Sequence, residues 1–128
     1  MFRKLLFAVM AVTALAMMGQ SYTVSATKYH PGIGGAGWKT ASGARIDNTK
    51  LKNYEIRWVA ISQDLLKKGF RMNDTIEVTC ERVPKLNGKW VIKDCMGPRV
   101  RMKVDFLLPK GDNYGFTSPT KVTISKVK

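Results

Sequence analysis

Two aspartates, Asp94 and Asp105, occupy positions compatible with chemistry without demanding it. Alternation places both away from the apolar centre. In Met102-Lys103-Val104-Asp105-Phe106 the apolar residues share one strand face, and Lys103 and Asp105 share the other with Arg101. Ile76, Val78 and Cys80 likewise form one face of a strand, and a hairpin partner of that strand carries Asp94 on the opposite side. His30, beside Pro31, reads as a loop histidine or a substrate contact. One His and two Cys exclude a His/Cys zinc finger, and neither a metal nor a cofactor is expected. Gly32-x-Gly34-x-x-Gly37 matches a dinucleotide fingerprint only as text, because no apolar helix follows it; it reads as a flexible loop.

The elements that must hold these residues are mostly short strands separated by turns. Apolar or alternating runs predict strands over Tyr22 to Tyr29, Arg57 to Ile61, Thr75 to Cys80, Trp90 to Asp94, Met102 to Phe106 and Lys121 to Val127. Ser62 can cap a short helix over Gln63 to Lys68, ended by Gly69. The pattern implies a small all-β barrel or sandwich with one or two helical turns. Asn87-Gly88 has the composition of a two-residue type I′ hairpin turn, pairing Leu86 with Lys89. That register sets Cys80 opposite Cys95 and Glu81 opposite Asp94, so a Cys80–Cys95 disulfide is expected. Pro84, which cannot donate to a ladder, is the weak point of that register.

The chain has 128 residues, a net charge of +13 and 45% hydrophobic residues. The apolar fraction argues against a disordered basic tail, and the length excludes a full dinucleotide-binding fold joined to a substrate domain. Part of that fraction lies in Leu5 to Met18, an uncharged run after Phe2-Arg3-Lys4 and before small residues, the layout of an export signal. The run is shorter than the roughly 20 residues needed to span a bilayer. Residues 1–21 are therefore read as a signal peptide cut after Ser21, the alternative being after Ala16, and 22–128 as the folded domain. Loss of Arg3 and Lys4 takes the charge from +13 to +11. The basic residues are scattered, with no long run. They are read as attraction to an anionic envelope glycan rather than to nucleic acid, by a secreted or periplasmic monomer free of the membrane.

Several segments, taken in order, resemble the double-psi β-barrel proteins: the rare lipoprotein A family, the three-aspartate domain of the membrane-bound lytic transglycosylase A group and, more distantly, the expansins. The matching pieces are Ala26-Thr27-Lys28-Tyr29, Thr40-Ala41-Ser42-Gly43, Val59-Ala60-Ile61-Ser62, Gly69 to Val78, Val91 to Asp94 with Gly97-Pro98, Lys103 to Phe106, and Gly115-Phe116 before Lys121 to Ile124. The resemblance implies a six-stranded double-psi barrel acting on peptidoglycan. Asp105 would protonate a MurNAc–GlcNAc glycosidic oxygen and then serve as base for closure of a 1,6-anhydro ring. Asp94 would orient Asp105 or raise its pKa, and Tyr29, Thr40, Ser42 and Ser62 would contact substrate. Where the family has an acid or histidine after Val59-Ala60-Ile61, this chain has Ser62, which favours a second possibility, a wall- or glycan-binding module without catalysis. Arg101 and Lys103 are expected to lower the pKa of Asp105.

Overall fold

A computed structural model describes residues 20–33, 37–116 and 120–127. The expected export segment lies outside these residues up to Gly19, as do Gly34 to Ala36 of the glycine-rich run. Six strands, β1 (Ser21–Tyr29), β2 (Trp58–Ile61), β3 (Thr75–Thr79), β4 (Gly88–Cys95), β5 (Lys103–Leu107) and β6 (Thr120–Lys126), form a closed barrel in the order β1-β5-β2-β4-β3-β6. Two helices, α1 (Asn48–Lys52) and α2 (Gln63–Lys67), and a 3-10 turn (Pro84–Leu86) complete the described elements. The β1–β5 and β2–β4 pairs are parallel, and the other neighbours are antiparallel. The described residues thus form an all-β, six-stranded barrel with two short helices.

Period-two alternation builds the interior. Val24 and Ala26, Val59 and Ile61, Ile76 and Val78, Trp90 and Ile92, Val104 and Phe106, and Val122 and Ile124 all point into one cluster. Trp90 and Phe106 meet edge to face, with centroids 4.8 Å apart at 81°. Each fully buried side chain of this size contributes about 1.5–3 kcal/mol.

A second, smaller cluster forms outside the barrel. Leu107 of β5 faces outward and is covered by Ile46, Leu51 of α1 and Ile56, with Tyr29 and Trp58 against them. Asp47 caps α1, its side chain accepting the Lys50 N–H at 3.1 Å. One flank of the barrel is therefore roofed by residues 38–56, a feature that controls the candidate site.

The expected hairpin register is corrected. Between β3 and β4, Val78 faces Gly88 and Ile76 faces Trp90, so Leu86 and Lys89 are not partners. A type I′ turn needs positive φ at both central residues, and Asn87 lies at φ −60°. Leu86 is fully buried, its carbonyl accepts the Trp90 indole N–H at 2.8 Å, and Pro84 starts a 3-10 turn. The Arg57 guanidinium then ties together the carbonyls of Lys85, Leu86, Asn87 and Lys89. Core burial and this clamp outweigh the turn propensity of Asn87-Gly88. The Cys80–Cys95 disulfide falls with the register: both cysteines are free thiols. Cys80 bonds through its N–H to Asn87 near the start of β4, whereas Cys95 ends that strand and pairs with Ile61. At ~3.3 Å per residue they are separated by about the length of β4, far beyond disulfide reach.

Candidate functional site

The registers put four residues in one row across neighbouring strands. Thr27 of β1 faces Asp105 of β5, Asp105 faces Ala60 of β2, and Ala60 faces Asp94 of β4. A bulge makes this possible: β4 advances from Ile92 to Asp94 while β2 advances from Val59 to Ala60. The extra residue, Lys93, lets Ile92 stay in the core while Asp94 joins the outward row. The two aspartate backbones lie two strands apart, about 9–10 Å at the usual spacing, with only the small Ala60 between them.

Asp105 is half-buried, and its carboxylate accepts the Thr27 hydroxyl at 2.9 Å. Its pKa is raised above the usual aspartate value, chiefly by burial and further by the negative charge of Asp94. Thr27, Lys103 and His30 pull the other way without cancelling that effect. The lowering expected from Lys103 is therefore present but outweighed. The dominant cause is burial in the folded chain, which the local sequence does not reveal.

Asp94 is held differently. One carboxylate oxygen accepts the Ala41 N–H at 3.0 Å and the Cys95 N–H at 2.9 Å. Ala41 lies at the tip of a tight turn, where Thr40 and Gly43 are bonded and Gly43 takes φ +88°, a conformation natural to glycine. The Ser42 N–H bonds the Lys93 carbonyl at 3.2 Å, docking the turn on the bulge. Thr40 is buried and its hydroxyl is 2.8 Å from that of Ser42, which is exposed. Thr40 and Ser42 thus stand beside Asp94 through this turn.

Tyr29 completes the group. Its ring packs in the outer cluster, and its hydroxyl is buried without a protein hydrogen-bond partner. Burial first, then the charges of Asp94 and Asp105, hold its pKa well above the usual phenol range. It stays protonated, a donor within the field of both carboxylates. His30 Nδ1 lies 3.1 Å from the Leu108 carbonyl and 3.0 Å from that of Pro109. Since carbonyls only accept, Nδ1 carries the proton.

Ser62 stands apart from this group. It is fully buried, makes no side-chain cap bond to α2, and accepts the Lys103 N–H at 3.0 Å. Its hydroxyl also bonds Asp64, whose carboxylate accepts the Met102 N–H at 3.0 Å. Met102 has φ +45°, a strained backbone for a side-chain-bearing residue. Ser62 and Asp64 thus fix the entry to β5 and the placement of Asp105, and Ser62 has no open surface for substrate.

Thr27 and Ala60 were not singled out from sequence, although Ser25, Thr27 and Tyr29 share one strand face by alternation. A concavity of about 290 Å³ lined by Ala26, Thr27, Lys28 and Phe116 opens beside this row. Among the described residues no group of three or more His, Cys, Asp or Glu could hold a metal ion. No helix among them is long and apolar enough to cross a membrane. Neither models of known families nor curated proteins match the chain.

Proposed function

We propose that the protein is a secreted double-psi barrel acting on peptidoglycan as a lytic transglycosylase, with Asp105 as general acid and then base. The observation that carries this reading is the unequal pair: Asp105 with a raised pKa, Asp94 fixed as an acceptor, and a buried, unpartnered Tyr29 hydroxyl in the field of both. In the first step the Asp105 carboxylic acid gives its proton to the glycosidic oxygen as the MurNAc C1–O bond breaks. The resulting carboxylate takes the proton of the MurNAc C6 hydroxyl as that oxygen bonds C1. The products are a 1,6-anhydro sugar end and a free hydroxyl on the released chain, with no water consumed. Asp94 supplies negative charge toward the developing positive centre and keeps Asp105 basic enough to regain its proton. Thr40 and Ser42 border the sugar beside Asp94.

A second reading, a barrel that grips anionic wall glycan without cutting it, is favoured by a different observation. Both aspartates already have structural protein partners: Thr27 joins Asp105 of β5 to β1, and Ala41 of the docked turn and Cys95 hold Asp94. Digestion of purified murein sacculi separates the two. The enzyme releases 1,6-anhydro muropeptides and its Asp105→Asn variant does not. Co-sedimentation of the protein with sacculi and no soluble fragments selects the binder.

A further inference from the structure

A second pocket lies where β2 and β5 extend past the carboxylate row. It has a volume of about 210 Å³ and is lined by Tyr54, Arg57, Lys85 and Tyr114. The two tyrosine rings meet at 5.6 Å between centroids and 59° between planes. Both residues take left-handed backbone conformations, φ +61° for Tyr54 and +52° for Tyr114. Residues with a Cβ pay conformational energy there, and such outliers gather at binding sites. Tyr54 is also among the exposed large hydrophobic residues, at 47%. Tyr114, by contrast, is buried in the barrel core at 9% exposure, so Tyr54 supplies the exposed aromatic face.

The walls are cationic. Lys85 Nζ stands 5.4 Å from the centre of the Tyr114 ring, and its charge also acts on Asp112. Arg57 stacks 4.2 Å over Trp90, and its nitrogens are taken up by backbone carbonyls, so it contributes charge and shape. Asp112 stands beside the tyrosines as an anion: it accepts the Tyr114 N–H at 3.0 Å and the Tyr54 hydroxyl at 2.7 Å, bonds that with Lys85 hold its pKa below the usual value, so it offsets part of the cationic charge. Two cations and an aromatic face suit a ring with an apolar C–H side and an acidic substituent.

Position supplies the rest. Phe106 faces Val59, so Arg57 lies three residues before Ala60, about 10 Å along the strand at ~3.3 Å per residue. His30, bonded to the Leu108 and Pro109 carbonyls, is within electrostatic reach of both Asp105 and Asp112. One extended oligosaccharide can span from the carboxylate row to this pocket. We propose that the pocket formed by Tyr54, Tyr114, Lys85 and Arg57 is a subsite for a carboxylate-bearing sugar unit of an anionic glycan. The inference rests on the glycan-directed reading above and adds where the acidic unit docks.

The test is titration of the full protein with a GlcNAc–MurNAc tetrasaccharide, which carries lactyl carboxylates, and with neutral chitotetraose, read by calorimetry and NMR shifts. Binding of the acidic sugar should exceed that of the neutral one and weaken with salt. Tyr54→Gly, which relieves the positive φ, should lose about tenfold in affinity without a lower Tm. Lys85→Ala, on the surface, should lose several-fold for the acidic sugar alone. Equal binding of the two sugars, unchanged affinity in both variants, or no binding by the wild type overturns the subsite. Release of anhydro products with wild-type KM in both variants overturns it while leaving the proposed activity standing. Variant-sensitive binding with no release upholds the subsite and selects the binding module.

Discussion

The barrel has two outer faces built by the same alternation, and they have opposite fates. On β1, β6 and β3 the registers align Thr23, Thr123 and Thr79 in a row that borders an open concavity of about 470 Å³. On β1, β5, β2 and β4 they align Thr27, Asp105, Ala60 and Asp94, and there Ile46, Leu51, Ile56 and Trp58 cover the neighbouring positions. The open row meets water. The roofed row holds a carboxyl that resists ionisation and a phenol hydroxyl without a protein partner. Outward-facing polar residues become chemically unusual only where a loop removes their solvent.

The sharpest way to break this contrast is to remove the raised carboxyl. Asp105→Asn should lower release of anhydro muropeptides by about 10²–10⁴-fold, the usual weight of general acid catalysis. The variant also has a pH signature. An acid with a raised folded pKa keeps its proton in the folded chain where the unfolded chain has lost it. The contribution of Asp105 to stability therefore falls as pH rises from the usual 3.8 toward the raised value, opposite in sign to Asp64 and Asp112, and that contribution should be absent in Asp105→Asn. Urea melts across that range check it.

Removing the roof should have the next largest effect. Leu51, 1% exposed in the outer cluster, cut back to alanine should cost about 2–5 kcal/mol in denaturant unfolding. It should also bring the Asp105 pKa, followed by carboxyl NMR titration, back toward the ordinary value. Tyr29→Phe removes the unpartnered hydroxyl and should gain about 1 kcal/mol in stability, while activity on sacculi drops. On the open face, Thr23→Val should change stability by less than about 0.5 kcal/mol and leave sacculus digestion unchanged.

Much of the barrel can be read directly from residue order, because inward positions such as Val104 and Phe106 alternate with outward Lys103 and Asp105. The resemblance names Asp94, Asp105, Tyr29, Thr40 and Ser42 together, and the fold brings them near one another. Three features were not legible in the sequence, each for a physical reason. Asn87-Gly88 advertises a tight turn, but burial of Leu86 and the Arg57 clamp lie far away along the chain. The helix Asn48–Lys52 is one short turn with a single buried residue, Leu51, too little for an amphipathic signal. The role of Ser62 depends on Lys103 and Asp64, so its residue type suggested a missing catalytic group where the fold uses a buried brace.

The strand order has a consequence for how the chain reaches this state. The first strand, Ser21–Tyr29, finds both its neighbours, Lys103–Leu107 and Thr120–Lys126, near the opposite end of the chain. No early segment can close the cylinder alone, and each closing contact bears the entropic penalty of a long loop. Folding should accordingly be slow for a domain of this size and complete only after the last strand has emerged. Until then Val24 and Ala26 have no closed core to enter, although β2, β3, β4 and β5 can already pair with one another.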